Sequence, residues 1–185
     1  SVLRQVPSTV LWLRGWDTPP AAQATFRLHA TLVGVDARRI RFLGVGSADP
    51  LDEKRASLHR MARVSVYLDT AVGGDFETVA DALWMGTPVV TLAGHTVASR
   101  VSLAALDSMC GPDACRLATT NLVDYERRIV NLLESEERRL GLVDRLLSAR
   151  QHATVFDLRA WTAAFEHGLR AVSASAGMQP REEQA

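Results

Sequence analysis

The sequence predicts an α/β fold, in which a Rossmann-like parallel sheet is flanked by helices. Short runs of β-branched and aliphatic residues alternate along the chain with longer segments of helical periodicity. The runs are apolar throughout, as is typical of parallel strands whose sheet is covered on both faces. One of them, at 64–68, leads into Gly73 and Gly74 and then into a helical segment. Such strand–turn–helix junctions direct free backbone N–H groups at one point, where parallel sheets bind phosphate-containing ligands.

The first part of the chain contains three predicted strands and two predicted helices. Gly15 stops the first strand, and Pro19-Pro20 marks the turn before the first helix. The second helix is rich in charge, with Leu58 and Met61 as its buried contacts. In chain order these elements are a strand at 9–14, a helix at 21–33, a strand at 41–45, a helix at 52–62 and a strand at 64–68.

The second part is mostly helical. Asn121 is a suitable helix cap with Asp124 in the first turn, and the last helix repeats its apolar residues every three or four positions. We interpret that apolar stripe as packing against the sheet or against another lobe, and Trp12 and Trp84 as core residues. The elements are a helix at 78–85, a strand at 88–92, a helix at 98–109, a short strand at 116–118 and helical segments at 121–133, 140–147 and 158–172.

Composition is that of a globular domain without strong charge. The 185 residues are 47% hydrophobic and 23% charged, with a formal net charge of zero, which argues against nucleic acid or an anionic membrane as a partner. We expect a single lobe over 1–175 and a disordered tail over 176–185, where apolar residues are lost. The chain shows no apolar run of membrane-spanning length and no signal sequence, so a cytoplasmic location is expected.

The two cysteines, Cys110 and Cys115, are too few for a disulfide framework, and no histidine lies near them at zinc-like spacing. We therefore expect two ordinary buried thiols and no metal site.

Three loops, at 44–52, 70–78 and 93–99, follow predicted strands and should meet at the carboxyl edge of the sheet. Within them and the adjoining helices lie several groups that could meet an anion. His95 and Arg100 are candidates for ligand contacts. For His95 a structural role is the alternative, and for Arg100 pairing with a nearby carboxylate.

Three motifs follow one another in this region, and their combined order and spacing are far more specific than a lone glycine motif. They are Leu68-Asp69-Thr70, the run from Asp81 through Leu83-Trp84, Gly86-Thr87-Pro88 and Val90-Thr91, and the run from Gly94 through Thr96 to Ala98-Ser99-Arg100-Val101. With them, residues 6–172 resemble the C-terminal catalytic lobe of the O-GlcNAc transferase family, glycosyltransferases of the two-lobed GT-B fold. The resemblance implies a UDP-sugar donor, normally UDP-GlcNAc, a protein Ser or Thr acceptor, direct inverting displacement, and neither a metal nor a cofactor.

The resemblance also implies roles for individual residues. Asp81 matches the aspartate that binds the ribose hydroxyls, and Thr78 matches a threonine at the diphosphate. Val45 and Gly46 match the segment whose backbone meets the uracil base. Basic residues toward the diphosphate fall at Lys54 and Arg60, although the alignment there is loose, and Arg55 and His59 are alternatives. A solvated helix face is the competing interpretation of this basic cluster.

One segment departs from the family pattern. Relatives usually carry Asn-Gly-His-Thr-Thr at the turn, whereas this chain has Gly74-Asp75-Phe76-Glu77-Thr78. Asp75 and Glu77 then either repel a diphosphate or serve as the N-cap and first-turn residues of the following helix.

The resemblance covers only one lobe. The N-terminal lobe and the TPR repeats of the family have no counterpart in these residues, so we expect a fragment, a subunit of a split enzyme or a truncated product that does not transfer sugar alone. No catalytic base is identifiable. Two alternatives stay open: a related transferase with another donor, such as GDP-fucose or another UDP-sugar, and a degenerate interaction or regulatory module.

Overall fold

The computed structural model describes residues 1–15, 17–44, 48–70, 75–111 and 117–175. In these ranges all strands pair in parallel and form two hydrogen-bonded sets. In the first set, β1 (Leu11–Arg14) pairs with β2 (Ile40–Leu43). In the second set the order is β3 (Tyr67–Leu68), β4 (Val89–Leu92) and β5 (Ala118–Thr119). Parallel pairing throughout agrees with the expected doubly covered sheet.

Helices connect the strands, so that strand and helix alternate up to β5. They are α1 (Val2–Gln5), α2 (Pro20–Leu32), α3 (Pro50–Met61), α4 (Phe76–Trp84), α5 (Val101–Cys110), α6 (Leu122–Glu134), α7 (Glu136–Ala149) and α8 (Leu158–Ser175). Single 3₁₀ turns lie at Ala37–Arg39, Ala98–Arg100 and Thr154–Phe156. As predicted, Asn121 caps α6, where its side-chain oxygen accepts from the N–H of Asp124.

The core is centred on β4, whose Val89 and Val90 are fully buried. Helix α4 contributes Leu83, α6 contributes Ile129 and α7 contributes Leu146, and each is almost completely buried. Because β4 is the middle strand of its set and is covered by helices, its successive residues Val89 and Val90, which face opposite sides of the sheet, are both apolar and buried. This core holds α4 firmly against the sheet, and α4 carries several of the candidate ligand-binding residues.

Several boundaries differ from the sequence prediction by a few residues, and two of these differences have a local reason. The strand expected at 64–68 is limited to Tyr67–Leu68, because its pairing with β4 begins where the N–H of Tyr67 donates to the carbonyl of Pro88 at 2.8 Å. The helix expected from residue 98 starts as a 3₁₀ turn and becomes α-helical only at Val101. Helix ends commonly tighten in this way.

The prediction that Trp12 and Trp84 are core residues is wrong, since they are 41% and 42% exposed. Trp84 lies at the end of α4, where its ring meets Phe156 edge-on at 5.0 Å and the Arg150 guanidinium lies over it. Neither tryptophan belongs to the buried cluster, which consists of aliphatic residues and two methionines.

The apolar stripe of α8 lies in solvent. The helix contacts the Thr154–Phe156 turn, and its apolar side chains are all at least half exposed: Leu158, Trp161, Phe165, Leu169 and Val172. Within the described residues the stripe therefore does not pack against the sheet. Packing against another lobe stays a prediction.

Cys110, at the end of α5, is disulfide-bonded, so the expectation of a free thiol there is wrong. Composition and spacing do not decide whether a thiol meets a partner, because the loop conformation does. Cys115 and the predicted tail at 176–185 lie outside the described residues. None of the helices in the described part combines the length and apolarity that a membrane span requires.

Candidate functional site

The candidate site lies at the N-terminal end of α4, beyond the carboxyl ends of the strands. Helix α4 begins where Asp75 accepts two hydrogen bonds from Thr78, a short one from the hydroxyl at 2.6 Å and a long one from the N–H at 3.5 Å. Asp75 is therefore the N-cap, and Glu77 is the acidic residue of the first turn. This supports the second of the two interpretations of these carboxylates: they are used by the helix itself.

Asp75 is also linked to the first strand set. Its Oδ2 atom lies 3.1 Å from the Arg14 guanidinium, at the end of β1. The hydrogen bond from the Thr78 hydroxyl, together with the Arg14 charge, lowers the pKa of Asp75 despite partial burial. Sequence reasoning missed Arg14. Its position as the last residue of a predicted strand could have indicated a basic side chain at the edge of the sheet where α4 begins.

Replacing Asp75 tests the cap. Asp75→Ala should lower the free energy of unfolding by about 1 kcal/mol, the usual cost of losing an N-cap. Because the folded-state pKa of Asp75 lies below the ordinary 3.8, the charge-dependent part of this stabilisation is complete above pH 3.8 and is lost as the pH falls through the folded-state pKa. Urea unfolding of wild type and Asp75→Ala at pH 7 and at pH 3 measures the stability difference at each pH.

Asp75→Asn is the control, because an asparagine side chain still caps but carries no charge. It should lose less stability than Asp75→Ala. Equal stability of wild type and Asp75→Ala at pH 7 would contradict the capping role.

Lys54 connects α3 to α4 through two carboxylates. Asp49 caps α3 and Pro50 occupies its first turn, which places Lys54 about one turn into the helix. The Nζ atom of Lys54 lies 2.7 Å from Glu77 Oε1 and 2.7 Å from Asp81 Oδ2. Glu77 and Asp81 are four residues apart and therefore lie on the same face of α4. The structure thus brings together Lys54, Glu77 and Asp81, whereas the Thr78 hydroxyl donates to Asp75.

Burial and ion pairing shift the pKa of Lys54 in opposite directions. Partial burial lowers the pKa of the ammonium, but the hydrogen bonds to Asp81 and Glu77 raise it further, so the net direction is upward. Lys54 is therefore firmly charged. It supplies a permanent positive charge beside the α4 N-terminus, itself a favourable place for an anion.

The other basic candidates of α3 are not part of this cluster. Arg60 forms an ion pair with Glu53, so its guanidinium is held along α3. Arg55 is mostly exposed and lies 3.8 Å from Asp52, and His59 is exposed. The positions of Arg55 and His59 fit the solvated face that was the competing interpretation of the basic cluster, whereas Arg60 is partly buried.

His95 and Arg100 lie at the loop after β4 and at the 3₁₀ turn before α5, and both side chains are exposed. The loop is shaped by Thr96 and Ser99, where the Ser99 hydroxyl donates to the Thr96 carbonyl at 2.9 Å. Among the described residues, no hydrogen bond or ion pair joins His95 or Arg100 to Lys54. Val45 and Gly46, expected at the base, lie outside the described residues.

Sequence reasoning named Asp69 only as part of a motif and did not predict that it is a buried acid at the end of β3. Asp69 follows the last strand residue and is only 5% exposed. Its Oδ2 accepts from the Thr91 hydroxyl at 2.6 Å, whereas Oδ1 finds no partner among the described residues. An acid placed directly after an apolar strand is the sequence signal that could have found it. Across the described ranges no group of three His, Cys, Asp or Glu side chains could hold a metal ion.

Comparison with known proteins gives a consistent result. The model of the family described as glycosyl transferase family 41 matches residues 1–165. The chain is 28% identical over 168 residues to the probable UDP-N-acetylglucosamine–peptide N-acetylglucosaminyltransferase SEC of Arabidopsis thaliana, covering 90% of this chain and 16% of that protein. It is also 28% identical over 158 residues to the UDP-N-acetylglucosamine–peptide N-acetylglucosaminyltransferase of Caenorhabditis elegans, covering 85% of this chain and 13% of that one.

A solved structure of a mutant O-GlcNAc transferase from Thermobaculum terrenum matches the fold. Its TM-score is 0.77 at 24% identity, and the match covers 92% of this chain and 31% of that chain. This likeness confirms the predicted fold class, a parallel α/β arrangement flanked by helices. The chain spans less than a fifth of the two curated relatives and less than a third of the solved one.

Proposed function

Because the chain belongs to glycosyltransferase family 41, as its resemblance predicted, we propose that it is the nucleotide-sugar-binding lobe of such a transferase. The proposed reaction moves GlcNAc from UDP-GlcNAc to Ser or Thr hydroxyls of proteins. The names of two relatives state this donor and a peptide acceptor. The observation that carries the proposal is the contact of Lys54 with Asp81 on α4, the helix whose first turn carries Thr78.

Each of these residues has a chemical task in the proposal. The Asp81 carboxylate accepts hydrogen bonds from the ribose hydroxyls; Lys54 contacts its Oδ2, and we assign Oδ1 to the sugar. Thr78 and the first turn of α4 face the diphosphate, with Lys54 as its cation. Val45 and Gly46 toward the base, and Arg60, His95 and Arg100 as further contacts, stay predictions.

The proposed chemistry is direct displacement at the anomeric carbon with inversion. Negative charge develops on the leaving UDP, and the Lys54 ammonium with the α4 N-terminus would stabilise it. We assign no catalytic base. In this proposal an N-terminal lobe and TPR repeats supply the acceptor surface, as in the family that the sequence resembles.

Titration of the 185-residue chain with UDP and GDP by calorimetry tests the proposal. We expect UDP to bind more tightly than GDP, and Asp81→Ala to weaken UDP about tenfold, the loss of one or two hydrogen bonds to a charged group. Asp144→Ala, which removes an exposed carboxylate from α7, is the matched control and should leave UDP affinity unchanged. UDP binding that is insensitive to Asp81→Ala would refute the assignment. Tighter GDP binding would favour another donor.

One observation favours a second candidate, a non-catalytic interaction or regulatory module. The α4 N-terminus is already capped by Asp75, and Lys54 is already paired with two carboxylates. A site that satisfies its own charges has less need of a bound anion. Failure of UDP, GDP and uridine to bind wild type and every site variant would favour this module.

A further inference from the structure

Lys54 joins two carboxylates that have different tasks in the proposed function. Asp81 is the proposed ribose ligand, and its side chain is 18% exposed. Glu77 stands where the family pattern has a threonine, and its side chain is 76% exposed. The same ammonium contacts both at 2.7 Å. The two arms of this bridge therefore differ in burial although they are equal in length.

The difference in burial decides which arm breaks first. An ion pair with a largely exposed partner is screened by water and contributes little, whereas the arm toward the more buried Asp81 is screened less. An incoming anion can therefore displace Glu77 at small cost. Displacing Asp81 would strand a carboxylate that is mostly shielded from water.

Resting on the proposed function, we propose that Glu77 is an internal competitor for the phosphate of the donor and that it holds Lys54 in a latch. The latch consists of Lys54, Glu77 and Asp81. A bound diphosphate takes the place of Glu77 on the Lys54 ammonium, while Asp81 keeps its contact. Glu77 thus determines how strongly this lobe discriminates a nucleoside diphosphate from the bare nucleoside.

The neighbouring charges leave this role to Glu77 in particular. Asp75, the other acid of the turn, is occupied as the N-cap and faces Arg14. Arg60 is paired with Glu53. Of the contacts described here, only those of Glu77 place an exposed carboxylate on the proposed phosphate-binding cation. The departure from the family pattern at position 77 therefore acts through Lys54, in addition to any direct repulsion.

The test is calorimetric titration of the full chain with UDP and with uridine. Glu77→Gln keeps the size of the side chain and removes its charge. It should tighten UDP about three- to tenfold, the combined effect of one exposed ion pair and of removed repulsion, and leave uridine unchanged. Adding Lys54→Met should remove the part of the gain that acts through the freed ammonium and leave only the smaller part that comes from removed repulsion. Asp52→Asn removes an exposed acid of α3 that pairs with Arg55, and it should change neither affinity.

The outcomes separate the latch from the proposed function. Wild type that binds UDP with an affinity unchanged by Glu77→Gln would overturn the latch alone. An equal gain for UDP and uridine would also overturn it, since the phosphate would not be involved. UDP binding that appears only in Glu77→Gln would support it strongly. Absence of UDP and uridine binding in wild type, Glu77→Gln and Glu77→Thr, all shown to be folded by circular dichroism, would overturn the latch together with the proposed function.

Discussion

Thr91→Val should lower the free energy of unfolding by about 2–3 kcal/mol, because it removes the hydroxyl that donates to a buried carboxylate. Thr91 is fully buried in the middle strand β4, and its hydroxyl lies 2.6 Å from Asp69 Oδ2. Valine has the same shape, so the loss reports the hydrogen bond rather than a cavity. Urea unfolding with an unchanged m value is the measurement.

The cost is large because Asp69 has few other ways to satisfy its charge. Its second oxygen has no partner in the described part of the chain, and the Tyr125 hydroxyl donates to its backbone carbonyl instead of its carboxylate. Burial, with the charge of Asp69 nearby, raises the pKa of Tyr67 to about 12, which shows how weakly solvent screens this region.

Thr91→Ser is the matched control, because serine keeps the donor and loses only a methyl group. It should lose about 1 kcal/mol, the cost of one buried methyl or methylene group. A Thr91→Val variant as stable as Thr91→Ser, or more stable, would mean that the Asp69 hydrogen bond contributes nothing to stability.

Gly86→Ala should lower the free energy of unfolding by about 2–4 kcal/mol. Gly86 follows α4 with φ +78°, in the left-handed region, where a residue with a Cβ is strained by about 1–2 kcal/mol. A Cβ at this position would also lie 2.8 Å from Leu147 Cγ, so the side chain or α7 must shift. The same urea experiment measures the loss.

Gly34 offers a control with a similar backbone conformation. Its φ is +77°, and no atom of the described residues lies within 4 Å of an added Cβ. Gly34→Ala should therefore lose only the backbone strain, about 1–2 kcal/mol. The difference between the two variants reports the contact with Leu147. Equal losses in the free energy of unfolding would show that Leu147 or α7 shifts at no cost, and they would refute the predicted clash.

The alternation of strands and helices, and the start of α4, could be read from local pattern. Val89 and Val90 lie in an apolar run, and Asp75 precedes a helical segment, so sequence neighbours carry most of that information. The family itself was recognisable from motifs at fixed spacing. Boundaries were less certain, since the β3 strand extends only as far as its pairing with β4 allows.

Side-chain pairing across the chain could not be predicted. Glu77 was recognised as an acid in an anion site, but its contact with Lys54, 23 residues earlier, depends on how α3 packs against α4. Arg14 and Asp75 are 61 residues apart in the chain and meet only because β1 ends at the edge where α4 begins. Residue type alone predicted a core position for Trp84, yet this residue is 42% exposed and its ring packs against Phe156 and Arg150, which lie far along the chain.

The sequence by itself determined the fold class, the family and the residue types available at the α4 N-terminus, because these follow from periodicity and from spacing along one segment. Tertiary structure alone decided the state of that site. It placed Lys54 between Glu77 and Asp81 and set their different burial. Charge pairing falls off steeply with distance and with exposure to water, so only the packing of two helices could settle which groups neutralise each other.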